Sequence, residues 1–283
     1  MRLTLKQTLS ILICGPLVVS GEDVMKPEYV SRDIAGASRV ADLLPIETLT
    51  YDDAKRVLSI SAEEDLGFGG RLFWSGKSGG YTVFYLEGFT FNGRLGKIKL
   101  GVRGSPPYWP ILRDRVMKGW MEAGGPSYRC ANDECFFESA DAAIIENYKK
   151  AVNSYLGKLT ESDVPDALKA HYEYLLSPFE VTYVGLAGCG LPPGPLPGRE
   201  AIDALLSWKR FDLITNVLRG YNPGARVYAL MALQGSRKRG VKLPMVAKST
   251  MNKVLRLPVG ISTCVGDIVN SGLTARQVID YFR

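Results

Sequence analysis

The stretch YTVFYLEGFTFNGRLGKIKLGVRG, residues 81–104, constrains the fold more than any other in the chain. Asn92-Gly93 separates two strand-like runs, and a type I′ turn needs positive φ at both central residues, which Asn and Gly tolerate. Centring the turn there pairs Phe91 with Arg94, Phe89 with Gly96, Glu87 with Ile98, Tyr85 with Leu100 and Val83 with Val102. The expected core face carries Val83, Tyr85, Phe89, Ile98, Leu100 and Val102. Phe84, Leu86, Lys97, Lys99 and Arg103 fall on a partly wet face. A lone hairpin is marginal in water. RLFWSG, residues 71–76, supplies a candidate third strand. PILRDRVMKGWMEA, residues 110–123, supplies a covering helix with Ile111, Leu112, Val116 and Trp120 at helical spacing. Gly124-Gly125-Pro126 ends that helix and marks the expected boundary between two parts.

Upstream, residues 22 to about 50 read as an exposed lead-in, and Thr50 or Asp52 is a candidate cap for a helix through Ala54, Val57 and Leu58. Downstream the pattern turns helical. Ser139 is a candidate cap for a helix with Ile144, Ile145, Tyr148, Val152, Tyr155 and Leu156 on one face. A second helix starts near Pro165, with Val164, Leu168, Tyr172, Leu175 and Leu176 in phase. FEVTYVGLAGCG, residues 179–190, fits a strand or a helix broken at Gly188. In FDLITNVLRGYNPGARVYALMAL, residues 211–233, Gly220 can end one helix, Asn222 can cap the next and Pro223 suits its first turn. This pair resembles a HEAT repeat, with Arg226, Ala229, Ala232 and Leu233 at that family's positions. Ala225 stands where the family has a larger aliphatic residue. The resemblance covers about one repeat and implies a short, irregular helical array. The expected fold class is therefore α+β: a small antiparallel sheet with a covering helix over residues 22–126, then a HEAT-like helical part over 127–283.

Residues 1–21 read as a secretory signal. MRLTLK is basic, the stretch up to Gly21 is apolar and short, and acidic residues follow from Glu22. Export to a secreted or periplasmic location follows as an expectation. It leaves four cysteines in the mature chain, Cys130, Cys135, Cys189 and Cys264, and favours disulfides over thiols. Four cysteines allow three pairings; Cys130–Cys135 with Cys189–Cys264 is the economical one. Metal knuckles use C-x-x-C pairs or histidines, and Cys130 and Cys135 have four residues between them. Asp133 and Glu134 then read as solvated turn residues at the tip of a clasp.

Several activities are disfavoured. Gly76-Lys77-Ser78 ends like a P-loop, but Arg71 stands where the motif needs glycine and a strand-like run follows. Gly185, Gly188 and Gly190 lack dinucleotide-fingerprint spacing. His171 is the only histidine, and its place in LKAHYEYLL reads as a helix surface, so neither a metal nor another cofactor is expected. An enzyme here would depend on carboxylates; Asp52-Asp53 and Glu63-Glu64-Asp65 are adjacent pairs that read as a cap and a solvated turn.

The charge pattern points elsewhere. Between Asp212 and Asp267 there is no acidic residue and there are nine bases, including Arg219, Arg226 and Arg256. Arg237, Lys238, Arg239, Lys242, Lys248 and Lys253 are the candidate binding residues. An anionic partner follows: lipid headgroups, a surface polymer or an acidic protein. Nucleic acid is disfavoured because the stretch lacks interleaved aromatics. The expectation is an exported, non-enzymatic binding or scaffold protein; the alternative is a carboxylate-dependent hydrolase with its site between the two parts.

Overall fold

A computed structural model describes residues 25–41, 51–52, 62–105, 107–123, 127–180, 182–188, 194–266 and 268–282. The signal segment, most of the helix expected after Thr50, and Cys189 lie outside the described residues. The chain is α+β. Strands β1 (Ala62–Gly67), β2 (Gly70–Ser78), β3 (Thr82–Phe91), β4 (Arg94–Gly104), β5 (Arg129–Ala131) and β6 (Glu134–Ala140) form an antiparallel sheet in the order β1-β2-β3-β4-β6-β5. The expected third strand is β2, and Gly76-Lys77-Ser78 lies within it rather than ahead of a helix. The turn at Asn92-Gly93 has φ of 50° and 77°, the left-handed values that selected this dipeptide.

The hairpin register corrects the sequence expectation. Phe91 opposes Arg94 and Thr90 opposes Leu95, but Phe89 opposes Lys97, so Gly96 is an extra residue in β4. Glycine suits that bulge because a Cβ there would meet the Phe89 ring at 2.8 Å and Ile144 at 2.9 Å. One added residue exchanges the faces of β3 against β4. Phe84 and Leu86, expected to be wet, are buried with Ile98, Leu100 and Val102. Val83, Tyr85 and Glu87 stand on the opposite face, opposed across the pair by Arg103, Gly101 and Lys99.

The buried face is covered by α1 (Pro27–Ala41) and α2 (Trp109–Glu122), through Val30 and Ala37 from the first and Leu112, Val116 and Trp120 from the second. Residues 27–41 of the expected exposed lead-in thus form a packed helix. Its Asp33 is fully buried and accepts hydrogen bonds from the backbone N–H groups of Gly80, Tyr81 and Thr82 and from the Thr82 hydroxyl, pinning α1 to the β2–β3 turn.

The strand β6 carries the chain past Ser139, so the cap of α3 (Ala142–Leu156) is Asp141, whose carboxylate accepts from Ala143 N and Ile144 N. Tyr148 of α3 packs on Phe89, and its hydroxyl donates to the Tyr221 carbonyl at 2.9 Å. Leu66, Leu72 and Phe89 of the sheet therefore share a core with the helices that follow. Tyr155, expected on the buried face of α3, is 40% exposed.

Next come α4 (Asp166–Leu176), α5 (Pro197–Ser207), α6 (Phe211–Arg219), α7 (Pro223–Lys238), α8 (Met245–Val254) and α9 (Ala275–Tyr281). The ambiguous segment resolves as β7 (Val184–Gly188). It pairs in parallel with β8 (Ile261–Gly266), which pairs antiparallel with β9 (Ile268–Leu273). This second sheet is a departure from the all-helical expectation for the C-terminal part. The β8 and β9 runs are short, and β7, the parallel partner of β8, is more than 70 residues upstream, a separation that local patterning does not register. The α6–α7 corner follows its sequence: Asn222 caps α7 by accepting from Ala225 N at 3.1 Å, and Pro223 occupies the first turn.

Candidate functional site

The bases named from the sequence separate into three settings. Arg219 and Arg226, counted among the nine, are buried rather than surface groups. Arg219 donates to Asn216 and Thr160. Arg226 donates through Nε to the Gly220 carbonyl at 2.7 Å and lies near the Phe68 ring, and burial pushes its pKa down. Lys253 sits at the far end of α8, where its ammonium donates to the Tyr155 carbonyl and lies over that ring. Arg237 and Lys238 in the last turn of α7, Arg239 at its cap, Lys242 in the link and Lys248 on α8 are exposed.

Two apolar residues that open α8 are bare, although Leu243 before them and Ala247 after them are buried. Met245 is 86% exposed and Val246 47%. The groove between α5 and α7 is lined by Arg199, Ile202 and Tyr228 toward their first turns and by Leu206, Gly235 and Arg239 toward their last. Trp208, at the end of α5, is 54% exposed.

The wet face of the large sheet bears a cleft of about 500 Å³, floored by Leu72 and Phe89 and walled by Trp74, Phe136 and Phe179. Its ionic groups form a lattice across β4, β5 and β6. Glu134 accepts from Lys99 (3.2 Å) on one oxygen and from Arg103 (3.0 Å) and the Tyr85 hydroxyl (2.9 Å) on the other. Glu138 accepts from Lys97 (2.8 Å) and Arg129 (2.6 Å). Lys99 and Arg129 also lie against the Phe136 ring, at 4.3 and 4.6 Å. Partial burial pulls the Glu134 pKa upward, but hydrogen bonds from Arg103, Tyr85 and Lys99 win and hold it below the usual carboxylate value. The Lys97 hydrogen bond does the same for Glu138. Glu134, expected as a solvated turn residue, is the hub of this lattice.

Cys130 and Cys135 are directly opposed on β5 and β6 and form a disulfide. This clasp fastens a three-residue edge strand whose first residue, Arg129, lines the cleft. Cys264, buried in β8, is also disulfide-bonded; the partner expected for it, Cys189, lies outside the described residues. Replacing Cys130 and Cys135 by serine is expected to lower stability by about 2 kcal/mol, the chain-entropy value for so short a loop. Urea unfolding of the double variant beside the parent checks this.

The carboxylates first read as a solvated turn are in β1. Glu63 pairs with Arg71 at 3.7 Å, Asp65 accepts from Gly67 N, and Glu64 is 5% exposed. Burial raises the Glu64 pKa to about 7. Glu64 does not line the cleft; of the carboxylates that do, Glu138 is held below the usual carboxylate value by its lattice partners. Among the described residues, no three His, Cys, Asp or Glu side chains converge as metal ligands. The sole histidine, His171, lies on α4, partly exposed. Comparison with protein families, with curated proteins and with solved structures finds no match.

Proposed function

We propose that the protein is an exported, non-enzymatic binding module that docks on an anionic lipid surface through the α7–α8 corner. One observation carries this reading: bare Met245 and Val246 open α8 between exposed Arg237, Lys238, Arg239 and Lys242 before them in the chain and exposed Lys248 after them. Bases near an anionic leaflet contribute about 1 kcal/mol each, and apolar tips entering the headgroup boundary add a salt-resistant part. A polymer or an acidic protein would use the bases but has no need of exposed Met245 and Val246 beside them in the chain. Among the described residues no helix is long and apolar enough to cross a membrane, so the attachment proposed is peripheral. The α6–α7 pair, with its capped corner and small Ala229 and Ala232, supports the HEAT-like reading of this layer.

Co-sedimentation with phosphatidylglycerol-containing vesicles, against pure phosphatidylcholine, tests the proposal. Binding to the anionic vesicles only, weakening as salt rises, is expected. Arg237→Glu with Lys238→Glu and Arg239→Glu should reduce it at least about a hundredfold, from three charges reversed at about 1 kcal/mol or more each. Met245→Ser should weaken binding even at high salt. Equal binding to both vesicle types sinks the proposal, as does polyglutamate binding that matches vesicle binding and ignores Met245→Ser.

A further inference from the structure

We propose that the cleft on the wet face of the large sheet binds a zwitterionic small molecule with an apolar body, of the amino-acid or short-peptide class. This is independent of the docking corner, which lies on other elements. The volume, about 500 Å³, falls within the range of small-ligand sites. The floor of Leu72 and Phe89 and the Trp74 and Phe179 walls provide for an apolar body.

The polar groups decide the charge of the ligand. Both oxygens of Glu134 and both of Glu138 already accept charge-assisted hydrogen bonds. Two further carboxylates face the cleft, Glu87 from β3 and Glu180 from the segment after α4, and neither side chain forms an ion pair or hydrogen bond among the described residues. Lys99, which opposes Glu87 across the strands, is turned away to Glu134. On the basic side Arg129 spends one nitrogen of its guanidinium on Glu138, and the rest of its N–H donors are uncommitted. Lys97 likewise makes a single ion pair.

The cleft therefore presents unclaimed acceptors and unclaimed donors around an apolar floor. Its lining charges balance, Lys97, Lys99 and Arg129 against Glu87, Glu138 and Glu180. A lone cation would leave the donors unmatched, and a lone anion would face Glu87 and Glu180. A ligand carrying an ammonium and a carboxylate answers both sets, and this is the discrimination that electrostatic complementarity supplies.

The test is calorimetric titration of the oxidised protein with phenylalanyl-leucine, its N-acetyl form and its C-terminal amide, alongside a panel of free amino acids and dipeptides. Saturable binding at one site is expected, with the free dipeptide at least about tenfold tighter than either capped form, the scale of one hydrogen bond to a charged group. Glu87→Gln with Glu180→Gln should bring the dipeptide down to the affinity of its N-acetyl form and leave that form unchanged. Arg129→Gln should do the converse with the amide. Both sets of side chains are outside the cores, so thermal unfolding should not move and serves as the control. A capped form that binds as tightly as the dipeptide overturns the proposal. So does the lack of saturable binding across the panel, or binding that ignores both sets of substitutions.

Discussion

Asn222→Ala is expected to lower the unfolding free energy by about 3 kcal/mol, since it orphans the buried Thr182 hydroxyl and Ala225 N–H and removes the donor to two part-buried carbonyls. The Asn222 amide donates to the carbonyls of Ser177 (3.2 Å) and Glu180 (2.8 Å) and to the Thr182 hydroxyl (2.9 Å), while its oxygen caps α7 at Ala225 N (3.1 Å). Asn222 is 1% exposed and Thr182 fully buried, so water does not readily replace the bond between them. Asn222→Ser keeps a cap acceptor but loses the three donations, and should recover about 1 kcal/mol of the loss. Urea unfolding of both variants checks the order. Loss below about 1 kcal/mol in the alanine variant would mean that the 177–182 segment finds other partners. That segment also carries Phe179 and Glu180 into the cleft, so the same variant should weaken the dipeptide binding described above.

What the sequence disclosed was what depends on neighbours in the chain. The Asn92-Gly93 turn, the Pro110 helix start, and the Gly220-Tyr221-Asn222-Pro223 corner are local decisions, and each appears where its residues put it. The register of β4 was not local. Gly96 reads equally as a strand residue and as a bulge, and what selects the bulge is the approach of Ile144 from α3 and of Phe89 across the pair. That single residue decides whether Tyr85 and Glu87 are core or wet, and so whether a cleft exists at all.

The same reasoning separates the candidate sites. The basic corner was legible because Arg237, Lys238, Arg239 and Lys242 are near neighbours in the chain. Arg219 and Arg226 misled the count because their burial is set by Thr160, Asn216 and Gly220, partners that charge runs do not reveal. The exposure of Met245 and Val246 beside buried Leu243 and Ala247 is likewise set by packing that a charge run does not reveal. The cleft was hidden for a further reason: β6 returns to pair with β4 across the whole of α2. One signal was available in retrospect. Lys97, Lys99 and Arg103 alternate on one strand while Glu134, Phe136 and Glu138 alternate on another, the pattern of two strands sharing a wet face. The clasp at Cys130–Cys135 marked the place without disclosing that it fixes Arg129 beside that face.

Glu64→Gln is expected to stabilise the protein by about 3 kcal/mol at pH 8 and by almost nothing at pH 4, the linkage value for a carboxyl displaced this far. Glu64 is 5% exposed, its Oε2 has no hydrogen-bond partner, and burial raises its pKa from 4.5 to about 7. Because the folded value is the higher one, the folded chain holds a proton between these two values that the unfolded chain has released. Stability therefore falls as pH rises through that window, and is flat above it, where the buried group has been forced to ionise. Glutamine has nearly the same shape, cannot ionise, and should remove the slope. The other displaced carboxylates do not imitate this effect. Glu138 and Asp212 are lowered by hydrogen bonds from Lys97 and Arg210, so their contribution is present at neutral pH and lost only as pH falls below the ordinary carboxylate range. The two signs occupy different windows, so urea titrations between pH 4 and pH 8 read the Glu64 slope without theirs. A parent protein whose stability rises across that range, or a glutamine variant with the parent's slope, would show that Glu64 is ionised without penalty in the fold. The strand that carries it would then have to admit water or a cation to β1, and the Tyr174 and Tyr183 phenols, which the Glu64 charge pushes further upward beyond the effect of burial, would share that solvent.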